Sequence, residues 1–204
     1  MVTSRILGAT NARCVGDLRV VNASKLSAPP QPVRSRRAYF DCRFGQLHVR
    51  TAFPTSGGFD EQVTLFCLHA IDASSRTFSR FLPEVANVRS VYAPDLPGCG
   101  ESDSSPARSV EDAAAAISDL ANDLRLRQID LLGVQYGAEV ALTLAAARPE
   151  LVRRLVLVGL PTADRAPPAQ PRLMVDTTDY GDDPFGAAVR TLTGQINSFL
   201  RRQP

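Results

Sequence analysis

Gly133-Val134-Gln135-Tyr136-Gly137 follows the strand-like segment Ile129–Leu132 and precedes a stretch rich in alanine and leucine. A strand that reverses into a helix through so tight a turn holds its central residue on a strained backbone and exposes its side chain. A hydroxyl or thiol at that point is a nucleophile that a neighbouring base can activate. Gln135 offers a carboxamide instead, with no low-pKa proton and a delocalised nitrogen lone pair. The small residues Gly133, Gly137 and Ala138 keep the turn, but its reactive atom is gone.

Other groups that could do chemistry are few. The chain has two histidines. His48 alternates with Leu47 and Val49 on a strand pattern and is expected at the surface. His69 closes the apolar run "VTLFCLHA". Cys99, in "PGCG", is a nucleophilic atom with no histidine placed to activate it. Asp182 and Asp183 stand in a glycine-containing loop and read as solvated acids. Asp95 and Ser102 read as ties within their own loop. Four cysteines (Cys14, Cys42, Cys67, Cys99) sit far apart with no CxxC pair, so neither a metal site nor a disulfide framework is indicated. Cys67 reads as a buried free thiol, and a reducing, cytoplasmic setting is expected. No cofactor is implied.

A chain of 204 residues, 44% hydrophobic and 22% charged, suits one soluble globular domain. A net charge of +2 is too small to argue for nucleic acid or an anionic membrane, and no apolar run is long enough to span a bilayer. Residues 1–37 differ from the rest, with seven basic residues against one acid, Asp17, ahead of "SAPPQPVRSRR". They lack the apolar core of a secretory signal and read as a flexible arm. The domain is expected over residues 38–204.

Within it, "AYFDCRFGQLHVRTAF" predicts an antiparallel hairpin turning at Phe44-Gly45. "VTLFCLHA", "RSVYAP", "QIDLLG" and "VRRLVLVGLP" predict strands, the continuous apolar ones buried on both faces. Ser109 with Asp112 forms a capping-box signature for a helix over 110–126. A second helix is expected over 136–147, ending before Pro149. Strands alternating with helices define an α/β fold with a mainly parallel sheet, flanking helices and an N-terminal antiparallel hairpin.

The order of these pieces resembles the α/β-hydrolase superfamily across about residues 37–161. "FGQLHVR" resembles its opening hairpin. "LFCLHAIDAS" is similar to its strand and oxyanion loop, with His69-Ala70 where His-Gly is usual. "YAPDLPGCGESD" matches the D-x-x-G-x-G-x-S loop, and "LLGVQYGAEVAL" with "RPELVRRLVLVGLP" matches the nucleophile elbow, its helix and the next strand. The resemblance implies a structural role for His69 and an oxyanion hole from the N–H of Tyr136 and one in the Ala70–Asp72 loop. It places the acid of a Ser-His-Asp triad after the strand that follows "RRLVLVGLP", and the histidine in a loop after the last strand.

Between Pro161 and Pro171 only nine residues remain, too few for a lid, a further strand and the acid. "PRLMVDTTDYGDDPF" then resembles the last strand and loop, with Gly181-Asp182 in place of Gly-His, and "AAVRTLTGQINSFL" the C-terminal helix. On that alignment all three triad places are empty and conventional serine hydrolysis is not expected. The expected remnant pocket is framed by His69, Ala70, Ile71, Gln135, Tyr136 and Asp182, open to a small-molecule ligand. The resemblance therefore implies a hydrolase-like protein with a degenerate site, serving as a non-catalytic binder or scaffold. The alternatives are a divergent hydrolase- or lyase-type enzyme acting on a small ester or carbonyl compound, and a decayed gene product. The thirteen residues from Gly159 to Pro171, four of them proline, make a poor helical crossover. "RLMVD" is accordingly expected to pair weakly at the edge or to sit where a strand was lost, leaving an edge open to self-association.

Overall fold

The strands form where branched and aromatic residues alternate or run together, and the turns fall where glycine permits them. The structure, a computed structural model, describes residues 33, 35–55, 62–105, 109–160, 170–176, 185 and 189–201. The hairpin is β1 (Ser35–Cys42) and β2 (Gly45–Ala52), paired antiparallel from Ser35↔Ala52 to Cys42↔Gly45. β1 begins three residues earlier than the sequence suggested. Arg36 and Arg37, read as the end of the arm, are strand residues, and as exposed positions of an edge strand they carry charge at little cost.

Then follow β3 (Thr64–Leu68), a 3-10 turn (Ser75–Phe78), α1 (Phe81–Val85), β4 (Val91–Pro94), α2 (Val110–Asp123), β5 (Ile129–Val134), α3 (Tyr136–Ala147), β6 (Val152–Val158), β7 (Arg172–Val175) and α4 (Val189–Arg201). Among the described residues the sheet runs β1-β2-β4-β3-β5-β6-β7. β2 meets β4 antiparallel, and every pairing from β4 through β3, β5 and β6 to β7 is parallel.

Burial of the parallel strands on both faces explains their continuous apolar runs. Phe66, Leu68, Leu131, Leu155 and Leu157 pack toward Ile117 and Leu120 of α2 and Val140 and Leu144 of α3. Their neighbours Leu65, Cys67, Leu132, Val156 and Val158 pack the other way, with Phe78, Phe81, Leu192, Ile196 and Leu200. Ser109 caps α2 in the expected capping box, its hydroxyl accepting from Asp112 N–H. α3 has the predicted bounds, and its Leu144 carbonyl accepts the Arg148 N–H.

β6 also holds α4. Arg153 and Arg154 donate to the carbonyls of Leu200 and Phe199 at 2.8–3.1 Å, satisfying groups that a helix C-terminus leaves open. β7 lies beside β6 over four residues, Leu155↔Arg172 to Val158↔Val175, at the edge of the sheet. No helix among the described residues is long and apolar enough to cross a membrane.

Candidate functional site

β5 is buried along its whole length and delivers Gln135 to the carboxyl edge of the sheet. There φ is 49° and ψ is −111°, a conformation that costs a non-glycine residue about 1–3 kcal/mol. Neighbouring elements enforce it. Gln135 N–H donates to Val158 O of β6 at 2.8 Å, and Gln135 O accepts from Ala138 N–H at 2.8 Å. A Cβ on Gly133 would come within 2.5 Å of Ala138 Cα. One on Gly137 would lie 2.5 Å from Leu68 C and 2.7 Å from His69 O. The two glycines therefore let α3 press directly on β5 and on the end of β3. The Gln135 side chain is exposed at the apex.

That contact sets the start of α3 against Leu68 and His69 at the end of β3, and none of the expected pocket residues is among the described residues that line the cleft found below. His69 is fully buried at the end of β3. Its Nε2 accepts Leu96 N–H at 2.9 Å, so Nδ1 carries the proton and donates to Ala70 O at 2.7 Å. Burial pushes the imidazole pKa down and keeps the ring neutral. His69 thus clasps the loop after β3 to the loop after β4, the structural role the resemblance implied. Ala70 is half-buried, and Ile71 projects outward with 63% exposure. Tyr136 is half-buried and its hydroxyl donates to Ser109 O at 3.4 Å, while burial raises the phenol pKa. Asp182 and its neighbour Asp183 lie outside the described residues.

His48 is not at the surface. It is 1% exposed, and its Nδ1 lies 2.9 Å from Asp95 Oδ2. Alternation does place it opposite Leu47 and Val49, but that second face of β2 is covered by the loop after β4. The loop is tied to the backbone of the same residue: Asp95 N–H donates to His48 O at 2.8 Å, and His48 N–H donates to Ser102 Oγ at 3.0 Å.

Asp95 does more than tie its own loop. It is 1% exposed and also accepts the N–H groups of Ser75 (2.5 Å) and Glu101 (2.8 Å). Burial alone would raise its pKa, but the bonds from Glu101, Ser75 and His48 outweigh it and hold the carboxyl below the usual range. Gly100 is required beside it, since a Cβ there would lie 2.5 Å from Asp95 Cγ and φ is 56°.

A cleft of about 470 Å³ opens next to this carboxylate, between segment 72–77 and residues Asp95, Gly100 and Glu101. Glu101 accepts from Arg76 at 3.0 Å, which with His48 and Arg37 holds its carboxyl low. Its Oε2 lies 3.7 Å from His48 Nε2. Cys99 is half-buried, and burial pushes its thiol up, away from the reactive thiolate.

The Asp95 network has a consequence in acid. A carboxyl with a depressed folded pKa adds stability above its unfolded value, about 4, and loses it as pH falls through the lower folded value. Below about pH 4, the urea midpoint of the native chain is expected to drop more steeply than that of Asp95→Asn. Parallel pH profiles would show that Asp95 stores no such stability.

A family model for the α/β hydrolase fold matches residues 63–196, more than half of the chain, and the chain belongs to that family. The 2-hydroxymuconate semialdehyde hydrolase of Pseudomonas sp. strain CF600 is 43% identical over 83 residues, covering 38% of this chain and 28% of the relative. The pyrrolizixenacetamide deacetylase of Xenorhabdus hominickii is 34% identical over 97 residues, 47% of this chain and 36% of the relative. Among solved structures, the N-acyl homoserine lactonase AidH superposes with a TM-score of 0.56 at 25% identity, over 63% of this chain and 46% of that one. The matched segments thus span well under two thirds of each relative.

Proposed function

We propose that this chain keeps the nucleophile elbow of the α/β-hydrolase family as a binding scaffold, with no covalent hydrolysis at Gln135. The observation that carries this reading is the pairing of the elbow's backbone conformation and glycine contacts with an exposed carboxamide at its apex. A carboxamide can donate to and accept from a ligand but cannot be activated to attack one. A small molecule with a carbonyl or similar acceptor would bind between Gln135, Tyr136 and the Ala70–Ile71 loop, and it would leave unchanged.

The second reading is an enzyme of altered chemistry, and the buried His48–Asp95 pair favours it. Such a pair is the orienting half of a general base. The imidazole itself is buried, so this base would need its surroundings to open before a substrate could reach it.

Hydrolysis of a simple activated ester separates the readings. The native chain and Gln135→Ala are expected to show the same rate, equal to that of buffer with a denatured control. A native rate at least tenfold above Gln135→Ala would overturn the non-covalent reading. A rate insensitive to Gln135→Ala but abolished by His48→Gln would favour the second. A decayed product is tested by urea unfolding, in which far-UV circular dichroism and tyrosine fluorescence are expected to report one coincident transition.

A further inference from the structure

Arg37 of β1 and Arg50 of β2 stand directly opposite each other in the hairpin register. Residues paired in this way point to the same face of the sheet with Cβ atoms about 5 Å apart, and like charges there repel. The Arg37 side chain is 62% exposed, and its Nη1 lies 3.7 Å from Glu101 Oε2. Glu101 is already shared, since it accepts from Arg76 at 3.0 Å and faces His48 Nε2 at 3.7 Å. Asp95 is taken up by His48 and the N–H groups of Ser75 and Glu101. Arg50 is worse placed than Arg37. It is half-buried, its Nε is buried with no hydrogen-bond partner, and among the described residues it forms no ion pair. Its neighbour on the other side, in β4, is Ala93. Cations drawn out of water are ordinarily paired, and this one is not.

We propose that Arg37 and Arg50 together bind a phosphate group, either free phosphate or the head of a small phosphomonoester. A guanidinium offers paired N–H donors that grip phosphate oxygens two at a time. A phosphomonoester carries nearly two negative charges at neutral pH, which matches two arginines where a carboxylate would neutralise one. The anion supplies the missing counter-charge and turns repulsion across the strand pair into two attractions. Tyr39 stands two residues along β1 on the same face, itself exposed, with its ring 5.4 Å from that of His48. Its open surface adjoins the arginine pair and suits the organic part of an ester. The site is separate from the elbow, because β4 and β3 lie between β2 and β5. It does not depend on what Gln135 binds.

Isothermal titration calorimetry of the full chain at low ionic strength, with inorganic phosphate and with phenyl phosphate, tests the proposal. Saturable binding to a single site is expected. Arg37→Gln and Arg50→Gln should each weaken it about tenfold. Arg36→Gln, on the opposite face of the same strand, and Gln135→Ala should leave it unchanged. Tighter binding of phenyl phosphate, with the gain lost in Tyr39→Ala, identifies a phosphomonoester site, and equal binding identifies a site for free phosphate. Absence of saturable binding overturns the proposal. So does an equal loss in Arg36→Gln, which would mean attraction to net charge alone. Binding lost in Gln135→Ala but kept in Arg37→Gln would put the anion at the elbow and overturn the site. Should Arg50→Gln fail to fold, Arg37→Gln decides, since its side chain is exposed on an edge strand, and unchanged binding there overturns the proposal.

Discussion

Replacing Asp130 with alanine is expected to cost the domain about 3–5 kcal/mol, the loss seen when one partner of a buried ion pair is removed. Asp130 stands near the start of β5 with no exposure. Its Oδ2 accepts from Arg89 at 2.9 Å, and its two oxygens accept from Arg153 at 2.9 and 2.6 Å. Arg89 is itself fully buried, and among the described residues it also donates to Val63 O and Gln62 Oε1. Burial already draws the guanidinium pKa below its ordinary value even with Asp130 beside it. Without the carboxylate the buried cation has no counter-charge among the described residues.

Arg153 would also lose the anchor from which it reaches Leu200 O, so the end of α4 should loosen as well. In urea the midpoint is expected to fall by roughly 2 M at unchanged slope. Asp130→Asn, which keeps an acceptor but not the charge, should lie between the two. A midpoint within a few tenths molar of native would show that the buried cluster is already relaxed by water.

Gly137→Ala is the second large effect, and helix propensity predicts the opposite sign. Alanine is favoured over glycine inside a helix by about 1 kcal/mol. Here the added methyl would meet the Leu68 carbonyl, 2.5 Å from its carbon and closer still to its oxygen. That carbonyl ends β3, which is paired to β4 and β5 and cannot retreat without breaking the ladder. We expect a loss of about 3 kcal/mol, with the elbow displaced, read as a lower urea midpoint and loss of whatever ligand the native chain retains. Ala146→Gly, on an exposed position of the same helix, should cost only the propensity difference. A stabilised Gly137→Ala would mean that α3 does not rest on β3 as described.

The fold was largely legible because its signals are local. Strand runs, the Ser109–Asp112 capping box and the glycine spacing around Gln135 each act within a few residues, and each element formed close to its predicted bounds. The clearest misreading was His48. Its alternation with Leu47 and Val49 was correctly read, but the conclusion that the second face meets solvent does not follow for a strand covered by a returning loop. The presence of Asp95 and Ser102 in one short loop was the available signal, since both turn out to bond to His48.

By itself the sequence determined that strands and helices alternate, that a tight turn carries Gln135, and that this turn lacks a nucleophile, because those facts depend on residue type and near spacing. Only the tertiary structure decided that His48 meets Asp95 across 47 positions and Arg89 meets Asp130 across 41. Register and strand order bring such pairs together, and burial then makes each of them matter by removing the water that would otherwise satisfy it.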